Sequence, residues 1–307
     1  MVKVYESLAD FKSHSPVLTI GTFDGVHIGH QKILSRLREI ADEINGEVTV
    51  LTFHPHPRLV LNPEKNDLLL LSTRDEKTQL LETYGVDNLV YMPFTHAFSR
   101  LSYDEFVKQV IVDGIHASVV VIGYDHHFGH NREGGLKQLQ LLSGAYNFKV
   151  EEIPEQDVNY AAVSSTRVRK ALHAGDINSA NELLGHAYTI SGTVIKGNQI
   201  GRQLGFPTAN LHTEQHKLIP VNGVYAVTAA IKNKVYKGML SIGNRPTFDN
   251  GARSVEVNIL DFNDDIYGED ICVFLHHYLR SDVKFNSKED LIQQMHKDKL
   301  HTIELLS

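Results

Sequence analysis

One cysteine, Cys272, is all the chain offers towards a disulfide or a thiolate metal site, so neither an intramolecular disulfide nor a paired-cysteine zinc site can form. Long apolar runs are missing as well. Nothing in the sequence approaches the roughly 20 residues of a membrane-spanning helix, and the opening MVKVYESLADFKSHS has no signal-peptide apolar region, so a cytoplasmic location is expected. Excess positive charge is also lacking. A formal net charge of -7 argues against a general nucleic-acid or anionic-membrane surface, so any phosphate site must be local. No internal repeat or low-complexity tract is apparent. What remains is an ordinary soluble composition, 42% hydrophobic and 22% charged, spread over 307 residues, enough for two domains.

Apolar strands and helical segments alternate over residues 1–183. Strands are expected at 17–21, 47–53, 88–92, 118–123 and 148–153, and helices at 30–44, 73–84, 103–112 and 136–142. That rhythm predicts a parallel sheet with helices on both faces and ligands beyond the carboxyl ends of its strands, where strand order reverses. Past residue 185 the pattern becomes two-residue alternation at 224–231, 235–242, 254–261 and 271–278, punctuated by Gly, Asn and Asp, which predicts an antiparallel barrel. A closing helix over 288–299 should bury Leu291, Ile292 and Met295 against it. The short helix and Gly185 within AGDINSANELLGHAY place the boundary between domains 1–183 and 184–307.

The turn GTFDGVHIGHQKIL, residues 21–34, sets His27 and His30 between the strand Val17–Ile20 and a helix marked by Ile33, Leu34, Leu37 and Ile40. The helix should begin near His30, where its unpartnered amides and positive dipole end suit phosphate, and Gly29 leaves room for oxygens. Plain turn residues or a shared zinc are the other readings, but zinc would need two more ligands. The remaining histidines of the 18 are scattered, and the local groups at 54/56, 126/127/130 and 276/277 lack carboxylate or thiolate partners at ligand spacing.

Other segments carry weaker signals. TFHPHP, residues 52–57, ends the second strand with two prolines and reads by itself as a rigid turn. In VIGYDHHFGHNREGG, residues 121–135, Asp125, Phe128, Asn131 and Arg132 mix aromatic and polar groups suited to a base or a ribose. AAVSSTRVRKAL, residues 161–172, reads equally as a plain helix start or as a phosphate contact. In GTVIKGNQIGRQLGFPTANL, residues 192–211, Gly192, Gly197, Gly201 and Gly205 permit close approach to phosphates or simply make hairpin turns. Thr208 and Asn210 stand two apart, so an extended backbone sends both oxygens to one side, a set suited to Mg²⁺ shared with ATP phosphates. In SVEVNILDF, Ser254, Glu256 and Asn258 share one strand face, with Val255, Val257 and Ile259 on the other.

The GTFDGVHIGH wording resembles the HxGH nucleotidyltransferases, and the chain as a whole resembles the prokaryotic bifunctional riboflavin kinase and FAD synthetase family. The resemblance implies a Rossmann-like α/β adenylyltransferase domain followed by an antiparallel β-barrel riboflavin kinase domain. It implies conversion of riboflavin to FMN and of FMN to FAD, with ATP as co-substrate and Mg²⁺ as cofactor, and small-molecule partners without nucleic acid or membrane. Gly21, Phe23, Gly29, Ser165, Thr166 and Arg167 become ATP or phosphate contacts beside the catalytic His27 and His30, with charge neutralisation and alignment shared among the histidines, helix amides, arginine and Mg²⁺. Gly197, Gly201, Thr208 and Asn210 serve ATP and Mg²⁺ in the kinase, with Glu256 as general base. Phe53, Pro55, Pro57, Asp125 and Phe128 become flavin contacts of the first domain and Arg280 of the second. The chain departs from the pattern at His126, where an aromatic is usual, and at Asp282, where a glutamate is usual. One live module, a flavin or nucleotide sensor, and adenylylation of another phosphate ester are the rival readings.

Overall fold

Strand β2 (Val17–Ile20) is buried along its whole length because helices cover both faces of the sheet it centres. The computed structural model describes residues 1–64, 68–124, 126–154, 163–197, 201, 204–232, 234–244 and 253–307. These pack as two units, Met1–Leu68 with Arg74–Ser164, and Leu69–Thr73 with Ser165–Ser307.

In the first unit, β1 (Lys3–Tyr5), β2, β3 (Val48–His54), β4 (Asn88–Pro93), β5 (Val119–Gly123) and β6 (Lys149–Ile153) form a parallel sheet in the order β1-β4-β3-β2-β5-β6. From β2 the chain adds strands outward on one side, then returns to add β5 and β6 on the other, so the order reverses between β2 and β5. That is where a ligand crevice opens beyond the strand ends. Helices α1 (Ile28–Ile44) and α3 (Arg74–Thr83) follow β2 and precede β4, and the short α2 (Pro57–Leu61) follows β3. Leu34 and Leu37 of α1 pack with Val17, Val50 and Val121 on one face of the sheet. The other face packs Leu18, Leu51 and Val120 against α4 (Tyr103–Phe106), the π-helical turn Val107–Val112 that continues it, and α5 (Leu136–Tyr146).

The second unit opens with α6 (Ser165–Ala174) and α7 (Ile177–Leu184). A closed barrel follows in the order β10-β11-β8-β7-β12-β9, from β7 (Tyr188–Ile195), β8 (Ala209–His212), β9 (Gly223–Ile231), β10 (Lys234–Asn244), β11 (Arg253–Ile259) and β12 (Asp270–Arg280). The expected alternation holds on β11, where Val255, Val257 and Ile259 enter the barrel core. The closing helix α8 (Lys288–Leu305) runs further than expected, and its burial differs from the sequence reading. Leu291, Ile292 and Met295 are only half-buried, whereas Asp298 and Thr302 are the buried positions, because Asp298 is paired with Arg280 from β12.

By packing, α6 and α7 go with the barrel, through Val168, Leu172, Ile177 and Ala180. Leu69–Thr73 does the same. Leu70 donates its N–H to the His216 carbonyl at 2.7 Å and accepts from Leu218 N–H at 2.8 Å, while the buried Lys217 ammonium donates to the Leu71 carbonyl at 2.7 Å and lies 4.4 Å from the Tyr188 ring centroid. Leu71 itself is 2% exposed within the barrel-side core. Leu71→Ala should therefore destabilise the barrel unit by about 2–5 kcal/mol, the usual range for such a core truncation. Urea unfolding followed by circular dichroism measures this, and an unshifted midpoint would show that the segment adds nothing to the barrel.

Candidate functional site

At the reversal point of the sheet, Gly21 leaves β2 and the chain folds Phe23 back over it. A Cβ at Gly21 would stand 3.0 Å from the Phe23 ring. Phe23 and Val26 hold left-handed backbone angles, φ 46° and 39°, a strained conformation of the kind found at functional turns. The turn is fixed by Thr52 Oγ1 donating to the Thr22 carbonyl at 3.2 Å and by Gln31 Nε2 donating to the Val26 carbonyl at 2.8 Å. The helix starts at Ile28, two residues before the expected position, because His27 itself is the cap: its Nδ1 accepts the His30 N–H at 3.4 Å.

The two imidazoles stack, with centroids 3.7 Å apart and planes 12° apart, and Phe23 packs 4.9 Å from His30. Their protonation is set by burial. Burial pushes His27 down to about 4 against the pull of the Asp24 carboxylate, and burial, His27 and Lys77 together hold His30 well below the usual imidazole range. Both rings are therefore neutral at pH 7 and act as donors without formal charge. With Nδ1 of His27 accepting from the backbone, its proton belongs on Nε2. Among the described residues His30 Nδ1 is buried without a hydrogen-bond partner, as expected of a polar atom whose partner is a ligand.

The depressed His27 fixes a sign. An unfolded imidazole takes up a proton near 6.5 and the folded one near 4, so stability is complete above pH 6.5 and falls as pH drops from 6.5 towards 4. The loss from this group should reach about 3 kcal/mol at pH 4. NMR of the His27 ring protons should show no titration near pH 6.5. A midpoint there would mean that the ring is solvated and charged.

Sequence reading missed two charged groups beneath this turn. Asp24 and Lys77 are 2% and 8% exposed, and the Lys77 ammonium, pushed down by burial, is opposed by the Asp24 carboxylate. Only their burial distinguishes them, and a one-dimensional pattern does not carry it. Ser165, Thr166 and Arg167 form the first turn of α6 in the second unit. Asp125 lies outside the described residues.

On the aromatic side, Phe53 meets Phe94 and Phe98 at 5.4 and 5.8 Å, Phe98 meets Phe106 at 5.9 Å, and Phe106 meets Phe128 at 5.4 Å. The two phenylalanines singled out from sequence thus belong to one continuous aromatic row. Phe128 is 7% exposed and covered by Gly134, where a Cβ would fall 2.6 Å from its ring, so it backs the row from within the core. Pro55 is exposed, and Pro57 is more than a rigid turn: it starts α2, with the His56 ring capping Arg58 N–H at 3.1 Å. Met92, Pro93, Phe98 and Leu101 line an apolar groove of about 450 Å³ beside the row. His126 lies 6.1 Å from Phe128 and is pushed down to about 4 by burial, with His127 and Arg132 adding to the effect.

In the barrel, Asn210 of β8 stands opposite Glu256 of β11, and Thr208 Oγ1 donates to Glu256 Oε2 at 3.3 Å. The structure thus gathers Thr208, Asn210 and Glu256 at one place. The glycines serve this cluster directly, since a Cβ at Gly197 would fall 2.3 Å from Asn210 Nδ2 and one at Gly201 would fall 2.3 Å from the Phe206 carbonyl and 3.3 Å from Thr208. A cavity of about 240 Å³ opens beside Thr208, walled by Val194, Val257, Ile259 and the loop Phe262–Tyr267, which no sequence motif marked. Arg280 stands apart from the cluster. Its guanidinium is paired with Asp298 at 2.8 and 3.0 Å, and Gln294 donates to the same carboxylate at 2.8 Å, so it ties β12 to α8. Among the described residues, no group of three or more His, Cys, Asp or Glu is placed to hold a metal ion.

Comparison with known proteins follows the same division. The FAD synthetase family model matches residues 10–167 and the riboflavin kinase family model residues 184–306. Proteins named bifunctional riboflavin kinase/FMN adenylyltransferase are 39% identical in Listeria monocytogenes, over 93% of this chain and 91% of the relative. In Bacillus subtilis the identity is 38%, over 95% and 92%, and in Escherichia coli K12 it is 34%, over 98% and 96%. A crystal structure from Streptococcus pneumoniae, described as a macrolide-efflux protein, aligns with a TM-score of 0.85 at 32% identity over 98% of each chain. Among the described residues here, no helix is long and apolar enough to cross a membrane. With both family models matched in order and relatives similar along nearly their full length, the chain belongs to the bifunctional riboflavin kinase/FMN adenylyltransferase family.

Proposed function

We propose that the two reactions are divided between the two units, with the barrel phosphorylating riboflavin and the histidine turn serving adenylylation of FMN. The chain is a bifunctional transferase that makes FMN from riboflavin and ATP, then FAD and pyrophosphate from FMN and a second ATP. The observation that carries the division is the Thr208–Glu256 hydrogen bond, which sets a carboxylate beside hydroxyl and amide oxygens on a unit separate from the stacked histidines.

In the barrel, the ribityl hydroxyl is a poor nucleophile until its proton is accepted. Glu256 is the acceptor, oriented by Thr208. Thr208 and Asn210 offer neutral hard oxygens, a set that fits Mg²⁺ held jointly with ATP phosphates, and the ion when bound neutralises phosphate charge. The cavity beside Thr208 takes the adenine, between Val194, Ile259 and Tyr267.

Adenylylation needs no base, because the FMN phosphate that attacks the α-phosphorus is already ionised. The turn supplies alignment and hydrogen bonds instead: neutral His27 and His30, the first amides of α1, the room left at Gly29, and Gly21, which admits the Phe23 ring. Ser165, Thr166 and Arg167, which open α6, offer hydroxyl and guanidinium donors of the kind that suit phosphate. Phe53, Pro55 and Pro57 shape the flavin side, with Phe128 as its backing. Arg280 acts on the kinase flavin through the β12 edge it holds against α8. A cytoplasmic enzyme meeting only flavins and adenine nucleotides is the resulting picture. Incubating the purified chain with riboflavin, Mg²⁺ and ATP and separating the flavins by chromatography tests it: FMN and then FAD should accumulate, and appearance of neither would end this reading.

A further inference from the structure

Asn258 follows Glu256 by two residues on β11 and shares its strand face, yet it is only 6% exposed, among the most buried polar side chains of the barrel. Its Nδ2 donates to the Pro207 carbonyl at 2.7 Å. That carbonyl and the Thr208 nitrogen belong to one rigid peptide plane. A hydrogen bond to the oxygen therefore sets the orientation of the plane from which Thr208 projects. One strand thus grips the 207–208 segment twice, Asn258 on the Pro207 carbonyl and Glu256 on the Thr208 hydroxyl.

The residues before this plane are already fixed. Phe206 is 5% exposed against Met239, Leu260 and Met295, its N–H donates to the Gly201 carbonyl at 2.8 Å, and His296 of α8 meets its ring edge-on at 5.0 Å. Proline then restricts its own φ. Rotation about the bond between Pro207 Cα and its carbonyl carbon is the main freedom left before Thr208, and Asn258 is the group that removes it.

We propose that Asn258 is a positioning residue for riboflavin phosphorylation, setting the Pro207–Thr208 peptide plane and through it the aim of the Thr208 hydroxyl at Glu256 and at MgATP. This rests on the assignment of Thr208 to the kinase site. Loss of the bond should act on nucleotide binding more than on the fold, since the barrel strands keep their own ladders.

The test is a double-mutant cycle on the full-length chain with Asn258→Asp, which keeps the shape but turns the donor into an acceptor facing a carbonyl, and Thr208→Val. Each single variant should raise KM for MgATP about tenfold to a hundredfold, the scale of a misplaced substrate-positioning group, with a smaller change in kcat. The double variant should lose no more than the worse single one, because Asn258 acts through Thr208. Asn258→His, which keeps an N–H donor, should restore most of the affinity. Should Asn258→Asp melt below the assay temperature, Asn258→Leu against Asn258→His makes the same comparison. Losses that multiply in the double variant, or a lowered melting temperature with KM for MgATP unchanged, would overturn the proposal and leave Asn258 a purely structural bond. A Thr208→Val enzyme with unaltered KM would instead remove Thr208 from the kinase site, and Asn258's role with it.

Discussion

Glu256→Gln should reduce riboflavin phosphorylation by about a hundredfold to ten-thousandfold, the range for removing a general base, while FMN supplied directly is still converted to FAD. The substitution is close to isosteric. A glutamine side-chain oxygen can still accept the Thr208 hydroxyl that now bonds Glu256 Oε2 at 3.3 Å, so the cluster opposite Asn210 keeps its arrangement and only the ionisable acceptor is lost. The second reaction is spared because its nucleophile, a phosphate, is anionic without help. Kinetics with riboflavin and FMN offered separately, at saturating ATP and Mg²⁺, read both halves. Near-normal kinase turnover in the glutamine variant would eliminate Glu256 as the base and leave substrate positioning as the barrel's contribution.

The parts of these sites that the sequence carries are those in which residue type and backbone conformation are tied together. Val17–Ile20 followed by Gly21 and a helical repeat fixes a strand, a turn and an anion-binding helix start, because glycine and apolar periodicity each have a local cause. The alternation at Val255, Val257 and Ile259 gave the barrel face for the same reason. Packing partners are not local. Helices α6 and α7 show an amphipathic repeat, but nothing in the repeat says that Leu172 and Ile177 face the barrel. The run Leu69–Leu71 has no period at all, yet it docks by backbone hydrogen bonds at Leu70 and a buried lysine at 217. Strand β1 is three half-exposed or exposed residues whose pairing with β4 leaves no pattern, and β7 and β8 are interrupted by Gly192 and preceded by Pro207. Charge state and ion pairing are likewise not local: desolvation holds the two histidines neutral, and Arg280 is paired with a carboxylate 18 residues away on α8.

His30→Ala should lower FAD formation by about a hundredfold to a thousandfold, the usual consequence of deleting one preorganised donor aimed at developing charge, and should leave riboflavin phosphorylation unchanged. The local fold has reasons to survive. The bond that caps α1 runs from the His30 backbone N–H to His27 Nδ1, so truncating the side chain leaves it in place, and Thr52 and Gln31 hold the turn independently. What is lost is the ring stacked 3.7 Å from His27 and packed on Phe23, together with the buried Nδ1 that has no partner among the described residues. Since that ring is neutral, its contribution is a directed hydrogen bond and not a point charge. Raising the salt concentration should therefore leave the ratio of wild-type to variant rates nearly constant, whereas an imidazolium acting by long-range attraction would lose its advantage as the solution screens it. Initial rates of FAD formation from FMN at several salt concentrations, with riboflavin phosphorylation measured in the same preparations, separate the cases. Equal loss of both activities would mean that the substitution disrupts the whole chain, and FAD formation at the wild-type rate would remove His30 from the adenylyl-transfer site altogether.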